Sequence, residues 1–206
     1  MFDDALLGEP VFLQHEDGAR VPLDVDVWKR PRFGDERVVR SCTGPTLDVG
    51  CGPGRITDAL TVAGVPALGI DISRRAVRLT RERGAAALQR DVFTRVPCTG
   101  RWQHVLLLDG NIGIAGRPAA LLRRCRDLAA PQGQVIVEVA GPGVGASRLS
   151  LCLVRSGQVG QPFAWSVVGV DAISQVAAAA GLLVAARWVV AGRWFATLVR
   201  TESAPS

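Results

Sequence analysis

The chain has no tyrosine, one methionine, two histidines and a single lysine, Lys29. Without tyrosine, the only aromatic side chains able to exchange protons near neutral pH are His15 and His104. No uninterrupted apolar run is long enough for a membrane span, because the longest ones carry Arg, Gly or Gln. The start, Met1-Phe2-Asp3-Asp4, is acidic and has no basic segment leading into an apolar one, so no secretory signal is read and a cytoplasmic location is expected. The five cysteines, Cys42, Cys51, Cys98, Cys125 and Cys152, form no C-x-x-C pair, and no histidine stands at ligand spacing from them. Neither a zinc site nor a disulfide is expected; the thiols read as reduced and mostly buried. Internal repeats and low-complexity tracts are also absent.

What is present suits one domain. A chain of 206 residues with 48% apolar content is long enough for a full core and too apolar for a disordered segment. The net charge of +5 is almost all arginine. A modest positive field favours acidic substrates or nucleic acid. The arginines are dispersed, however, and the one dense set, Arg74, Arg75, Arg78, Arg81 and Arg83, falls on a predicted surface helix as a solvated face. A nucleic-acid partner is therefore not expected.

Between Thr46 and Val139 strands and helices alternate. Strands are read at Thr46 to Gly50, Ala67 to Asp71, Ala86 to Asp91, Trp102 to Leu108 and Gln134 to Val139. Helices run from Arg55 to Ala63, from an Ser73 N-cap through Arg83, and from Pro118 to Leu128. Such alternation argues for a parallel sheet with right-handed crossovers. After the loop Gly141-Pro142-Gly143-Val144-Gly145 the pattern changes. Leu149 to Arg155 and Phe163 to Val168 read as an inserted hairpin around Ser156-Gly157. Asp171 reads as the N-cap of an alanine-rich helix ending at Gly181, and Leu182 to Val190 and Trp194 to Arg200 read as a hairpin turning at Ala191-Gly192-Arg193. The fold class is thus α/β, a Rossmann-like doubly wound mixed sheet of about seven strands with a terminal antiparallel hairpin. The segment before residue 45 reads as a helix or two with a short strand pair around Asp17-Gly18. The expected organisation is one domain over 1–206, with an N-terminal cap (1–44), a cofactor-binding core (45–140) and C-terminal hairpins and helix (141–206).

The chemistry concentrates at strand ends. Leu47-Asp48-Val49-Gly50-Cys51-Gly52-Pro53-Gly54 is an apolar strand running into a glycine-rich turn and a helix. Glycines there let the backbone take positive φ and approach a ligand. A dinucleotide fingerprint would place its third small residue where Arg55 stands; here it comes one residue early, at Gly54. Gly69-Ile70-Asp71-Ile72-Ser73 ends the next strand with a carboxylate able to accept from two ribose hydroxyls, a requirement shared by nicotinamide cofactors; the alternative for Asp71 is an N-cap or surface acid. Asp91-Val92 follows the third strand, where an Asp is also common in plain turns. Asp109-Gly110-Asn111 ends the fourth, where the two polar residues orient a ligand or shape a turn.

This order of segments resembles the class I S-adenosylmethionine-dependent methyltransferases, in particular a group of small actinobacterial members. The likeness covers Leu47 to Val139 and, more loosely, Gly192-Arg193-Trp194-Phe195. It implies that Asp48, Gly50, Cys51, Gly52 and Gly54 hold the amino-acid half of S-adenosylmethionine, with Asp48 reaching its ammonium group. It implies further that Asp71 and Ile72 meet the ribose, that Asp91 and Val92 meet the adenine, and that Asp109 and Asn111 face donor and acceptor. Cys51 reads as packing. The (Asn/Asp)-Pro-Pro-(Tyr/Phe) motif of many base-amine and glutamine methyltransferases is absent. A small-molecule acceptor is therefore the leading expectation. RNA or protein methylation, a non-catalytic S-adenosylmethionine-binding module, and a nicotinamide oxidoreductase stand as alternatives. No metal is needed, since the sulfonium is already activated. Among possible acceptor contacts are His15 as a base, from what reads as a polar loop, and Trp28, Arg30 and Arg32. His104 reads as structural.

Overall fold

The computed structural model describes residue 6 and residues 10–201. The acidic start and the tail beyond residue 201 lie outside the described residues. Twelve strands and five α-helices are arranged around two sheets among the described residues.

The principal sheet holds β3 (Thr46–Val49), β4 (Ala67–Asp71), β5 (Ala87–Gln89), β6 (Trp102–Leu107), β7 (Ala129–Val139), β11 (Leu182–Val190) and β12 (Arg193–Arg200). Its order is β11-β12-β7-β6-β3-β4-β5. The five strands from β7 to β5 are parallel; β12 joins β7, and β11 joins β12, antiparallel. This is the expected seven-strand mixed sheet with its terminal hairpin. Helices α1 (Asp35–Ser41), α2 (Arg55–Val62), α3 (Arg74–Glu82), α4 (Pro118–Leu128) and α5 (Ile173–Ala178) flank it. The apolar run of β6 explains both layers. Val105 and Leu107 enter the core that holds α4 and α5, while Leu106 and Leu108 enter the core that holds α1 and α2. A strand covered on both faces needs apolar residues at consecutive positions.

Local chemistry fixes the helix starts. Ser73 caps α3, accepting from Ala76 N at 2.9 Å. Pro118 opens α4, where its missing N–H costs nothing. Asp171 does not cap the alanine-rich helix. That helix starts at Ile173, with Ala172 in the cap position, and Asp171 instead accepts from the Gly143 N–H of the preceding loop at 3.1 Å. In the terminal hairpin, Ala191 (φ 51°) and Gly192 (φ 75°) make the turn, and Arg193 belongs to β12.

The second sheet was not foreseen as one object. Strand β1 (Val11–His15) pairs with β2 (Arg20–Pro22) across the turn at Asp17-Gly18, as the strand pair expected there requires. Its other edge pairs antiparallel with β8 (Ala146–Arg155), which carries β10 (Phe163–Val168) and the short β9 (Gln158–Val159). The N-terminal segment and the inserted hairpin therefore form one five-stranded sheet, ordered β10-β8-β1-β2 with β9 on β8. His15, expected in a loop, ends β1 instead. A 3-10 turn at Val25–Trp28 and helix α1 complete the N-terminal part.

Candidate active site

A cleft of about 790 Å³ lies at the carboxyl ends of the parallel strands, between them and the second sheet. Open α/β sheets bind ligands at this edge, and the volume is within the roughly 300–1,000 Å³ typical of small-molecule sites. Asp48, Gly50, Cys51, Gly52, Asp71, Ile72, Asp91, Val92, Asp109 and Asn111 all line it. Gly54 does not. A Cβ at Gly54 would stand 2.9 Å from the Thr80 backbone, so this glycine lets α2 start against α3.

The glycine loop is held from several sides. Asn111 Nδ2 donates to the carbonyls of Val49 (3.0 Å) and Gly50 (2.9 Å). Thr80 Oγ1 donates to the Gly52 carbonyl at 2.9 Å. The Asp71 carboxylate accepts from Gly52 N (2.9 Å) and Ser73 N (2.8 Å). Gly50 (φ 72°) has no room for a side chain, since a Cβ would meet Asn111 Nδ2 at 2.6 Å. Gly52 (φ 55°) differs: nothing lies within 4 Å of where its Cβ would be. The missing side chain leaves open space beside Gly52, which lines the cleft. Cys51 is buried and packs over Gly69, whose missing side chain makes the space for it. Burial and the carboxylates of Asp48 and Asp71 push its thiol far up, so it is no nucleophile.

Asp48 sits under the loop, buried, and accepts from Thr57 Oγ1 at 2.7 Å. Burial raises its carboxyl to about 6, against the opposing influence of the Thr57 hydroxyl and the Arg55 charge. Asp91 is exposed and accepts from Phe93 N at 2.9 Å in a local turn, while Val92 is buried. Ile72 and Phe93 expose apolar side chains at the cleft.

Beside the loop lies a charge network that sequence reading missed. Arg55, noticed only as a mismatch to the dinucleotide pattern, is buried and ion-paired with Asp35 and Asp109. Asp109 also accepts from Arg32 at 2.7 Å. Arg193 bonds Glu138 through two nitrogens, both at 2.8 Å, and Asp35 at 2.7 Å. Glu138 in turn accepts from the Asp109 N–H at 2.8 Å. Burial pushes Asp35 and Glu138 up, but the hydrogen bonds from the arginines outweigh it and hold both below the usual carboxylate range. Three arginines thus balance three acids, tying α1, α2, β7 and β12 to the end of β6. Arg32 is used here rather than by an acceptor, and Arg30 is not part of the cleft lining. The available signal was Glu138, an acid inside the otherwise apolar Val135-Ile136-Val137-Glu138-Val139.

The opposite wall is apolar. Leu13, Trp28, Leu149, Leu151, Phe163 and Trp165 line it, with His15 among them. His104 is away from this edge, buried, and accepts from Thr43 N at 3.1 Å, a structural role as expected. All five cysteines are free. Among the described residues no helix is long and apolar enough to cross a membrane.

Residues 46–133 match the family model described as a methyltransferase domain. The chain is 31% identical over 122 residues to a trans-aconitate 2-methyltransferase of Paracidovorax citrulli, covering 52% of this chain and 47% of that one. It is 29% identical over 96 residues to a ubiquinone biosynthesis O-methyltransferase of Bordetella bronchiseptica, covering 43% and 39%. The chain therefore spans less than half the length of these curated relatives. Among solved structures, an S-adenosylmethionine-dependent methyltransferase from Bacteroides fragilis in complex with S-adenosyl-L-homocysteine superposes with a TM-score of 0.80 at 21% identity, over 97% of this chain and 92% of that one. The matched segment begins on β3 and carries the glycine loop, and the sheet around it ends in the expected antiparallel hairpin: the chain has the fold of the Bacteroides fragilis protein, and its residues 46–133 are similar to the methyltransferase-domain family.

Proposed function

We propose that the chain is a methyltransferase that uses S-adenosylmethionine to methylate a small molecule. The observation that carries this reading is the open space where Gly52 lacks a side chain, with Asp48 and Asp71 lining the same cleft. A cationic amino-acid group fits beside Asp48, and a ribose fits beside Asp71. Ile72 and Phe93 offer apolar surface, and Asp91 a hydrogen-bond acceptor, to an adenine. Asp109 and Asn111 act mainly as positioning residues, because one is tied to arginines and the other holds the loop. Cys51 and Val92 shape the cleft, and Gly54 supports the loop from behind.

S-adenosylmethionine, when bound, supplies an activated methyl group. The protein's work is then to align acceptor and methyl carbon at contact distance and to exclude water. The second sheet roofs the cleft and does both. Residues 1–206 act in this reading as one domain, in which the N-terminal strands serve as the cap. The related methyltransferases named for trans-aconitate and ubiquinone biosynthesis favour a small acceptor over RNA or protein. The arginines also argue against nucleic acid, since Arg81 is bonded to the Ala87 carbonyl, Arg83 to that of Lys29, and Arg78 to Glu82. We assign it to the cytoplasm on the composition of the sequence.

Calorimetry with S-adenosylmethionine, S-adenosylhomocysteine and NAD tests the reading. Micromolar binding of the two adenosyl ligands, weakened in Asp71→Ala, with no binding of NAD, is expected. Preference for NAD, or no adenosyl binding by folded protein, would refute it.

A further inference from the structure

The roof of the cleft is built by alternation. In β1, Leu13 and His15 face inward, and in β8, Leu149 and Leu151 do so. The pairing register places His15 opposite Leu151, and Leu151 opposite Phe163 on β10. His15, Leu151 and Phe163 thus form one row across the sheet, and Leu149 and Trp165 form part of the next. Side chains directly opposed in this way lie about 5 Å apart. Phe163 and Trp165 meet edge to face, with centroids 6.3 Å apart and planes at 86°.

Along this roof His15 is, among the described residues, the only titratable group lining the cleft. It is also firmly set. Its N–H donates to the Ala19 carbonyl at 2.9 Å, and its carbonyl accepts from Gly18 N at 2.9 Å, so the hairpin fixes the backbone that carries the imidazole. The arginines that line the cleft, Arg55 and Arg90, are on the donor side. Arg55 is committed to Asp35 and Asp109, and Arg90 adjoins Asp91. A carboxylate acceptor under this roof would lose its hydration without gaining a partner charge. A flat aromatic molecule would find ring faces and leucines.

We infer that the acceptor is a small, uncharged aromatic molecule bearing a hydroxyl, and that His15 is the catalytic base that takes its proton. This rests on the methyl-donor reading above. An oxygen lone pair of the acceptor forms the new O–C bond to the methyl carbon. The electron pair of the breaking C–S bond stays on sulfur, turning the sulfonium into the thioether of S-adenosylhomocysteine. The hydroxyl proton passes to the free imidazole nitrogen of His15 and from there to water.

The test uses the full chain with 2-naphthol and trans-aconitate as probes. Each is titrated by calorimetry into the free protein and into its complex with S-adenosylhomocysteine. 2-Naphthol is expected to bind below millimolar Kd, and trans-aconitate to bind at least tenfold more weakly. With S-adenosylmethionine, methyl transfer to 2-naphthol is expected. In His15→Gln its kcat falls by about 100-fold, with KM changed by less than about threefold. Failure of 2-naphthol to bind, equal or tighter binding of trans-aconitate, no transfer to bound 2-naphthol, or unchanged kcat in His15→Gln overturns the inference. Failure of S-adenosylhomocysteine to bind overturns the donor reading instead, and the titrations into free protein keep the two failures apart.

Discussion

The two walls of the cleft are made from different materials. The donor wall is one continuous stretch of chain and its immediate neighbours: a strand, a glycine turn, a helix start, and a carboxylate from the adjacent strand. Its polar groups are nearly all committed to one another, through Asn111, Thr80, Asp71 and the arginine–carboxylate network. The acceptor wall joins residues from both ends of the chain, and its contacts are apolar apart from His15. The first wall is specified by backbone geometry, which tolerates few substitutions. The second is specified by side chains on a sheet face, which can be exchanged without altering the backbone. A cleft with one rigid and one replaceable wall can keep its donor while changing its acceptor.

That contrast can be broken on the donor side by unbalancing the charges. Arg193→Met leaves Glu138 buried without its main partner and removes one of the two arginines that hold Asp35, and a loss of about 3–5 kcal/mol in urea unfolding is expected. A next, smaller effect comes from Gly54→Ala. Positive φ and the nearby Thr80 backbone make the new Cβ strained, at about 1–3 kcal/mol. Asp71→Ala sharpens the comparison differently: adenosyl ligands should bind about 10–100-fold more weakly, while 2-naphthol binding to the free protein stays within about twofold.

Asp48 adds a dependence on pH. Its carboxyl is raised to about 6 by burial, so the folded state holds a proton that the unfolded chain has released. Its contribution to stability is therefore full below pH ~4 and is lost as pH rises through about 6. The wild type minus Asp48→Asn difference in Tm should fall over that interval. Cationic S-adenosylmethionine demands the ionised form, so its affinity should rise over the same interval and flatten above pH 7. The smallest effect is expected for Ile72→Ser. This exposed residue should change stability by less than about 0.5 kcal/mol and adenosyl affinity by only a few-fold.

The difference between the walls also explains what the sequence made legible. Positive-φ glycines and strand-end carboxylates are signals within a few residues, so Gly50, Gly52 and Asp71 stood out directly, whereas the bonds from Asn111 to the Val49 and Gly50 carbonyls did not. The parallel strands and the terminal antiparallel hairpin followed from the alternating pattern; their order in the sheet did not. Arg55 and Arg193 were not readable as partners, because each meets acids far away in the chain, Asp35, Asp109 and Glu138. The second sheet was hidden for the same reason. Alternation reveals that Leu149, Leu151, Phe163 and Trp165 share a face but not what that face covers. Asp171 failed as an N-cap because its carboxylate serves the Gly143 loop.

Strand β1 sits between β2 and β8, with residues 11–15 paired to residues 151–155. Nearly three-quarters of the chain must be made before β1 can find β8, although its other neighbour, β2, follows at once. Closing so long a loop is slow and entropically costly, whereas each β–α–β unit of the principal sheet closes within its own neighbourhood. The roof should therefore be the last part to assemble and the first to open. In native-state hydrogen exchange the amides of β1 and β8 should exchange through a partial opening, at lower free energy than those of β3 and β6. In the proposed reading, such an opening would admit an acceptor while leaving the glycine loop undisturbed.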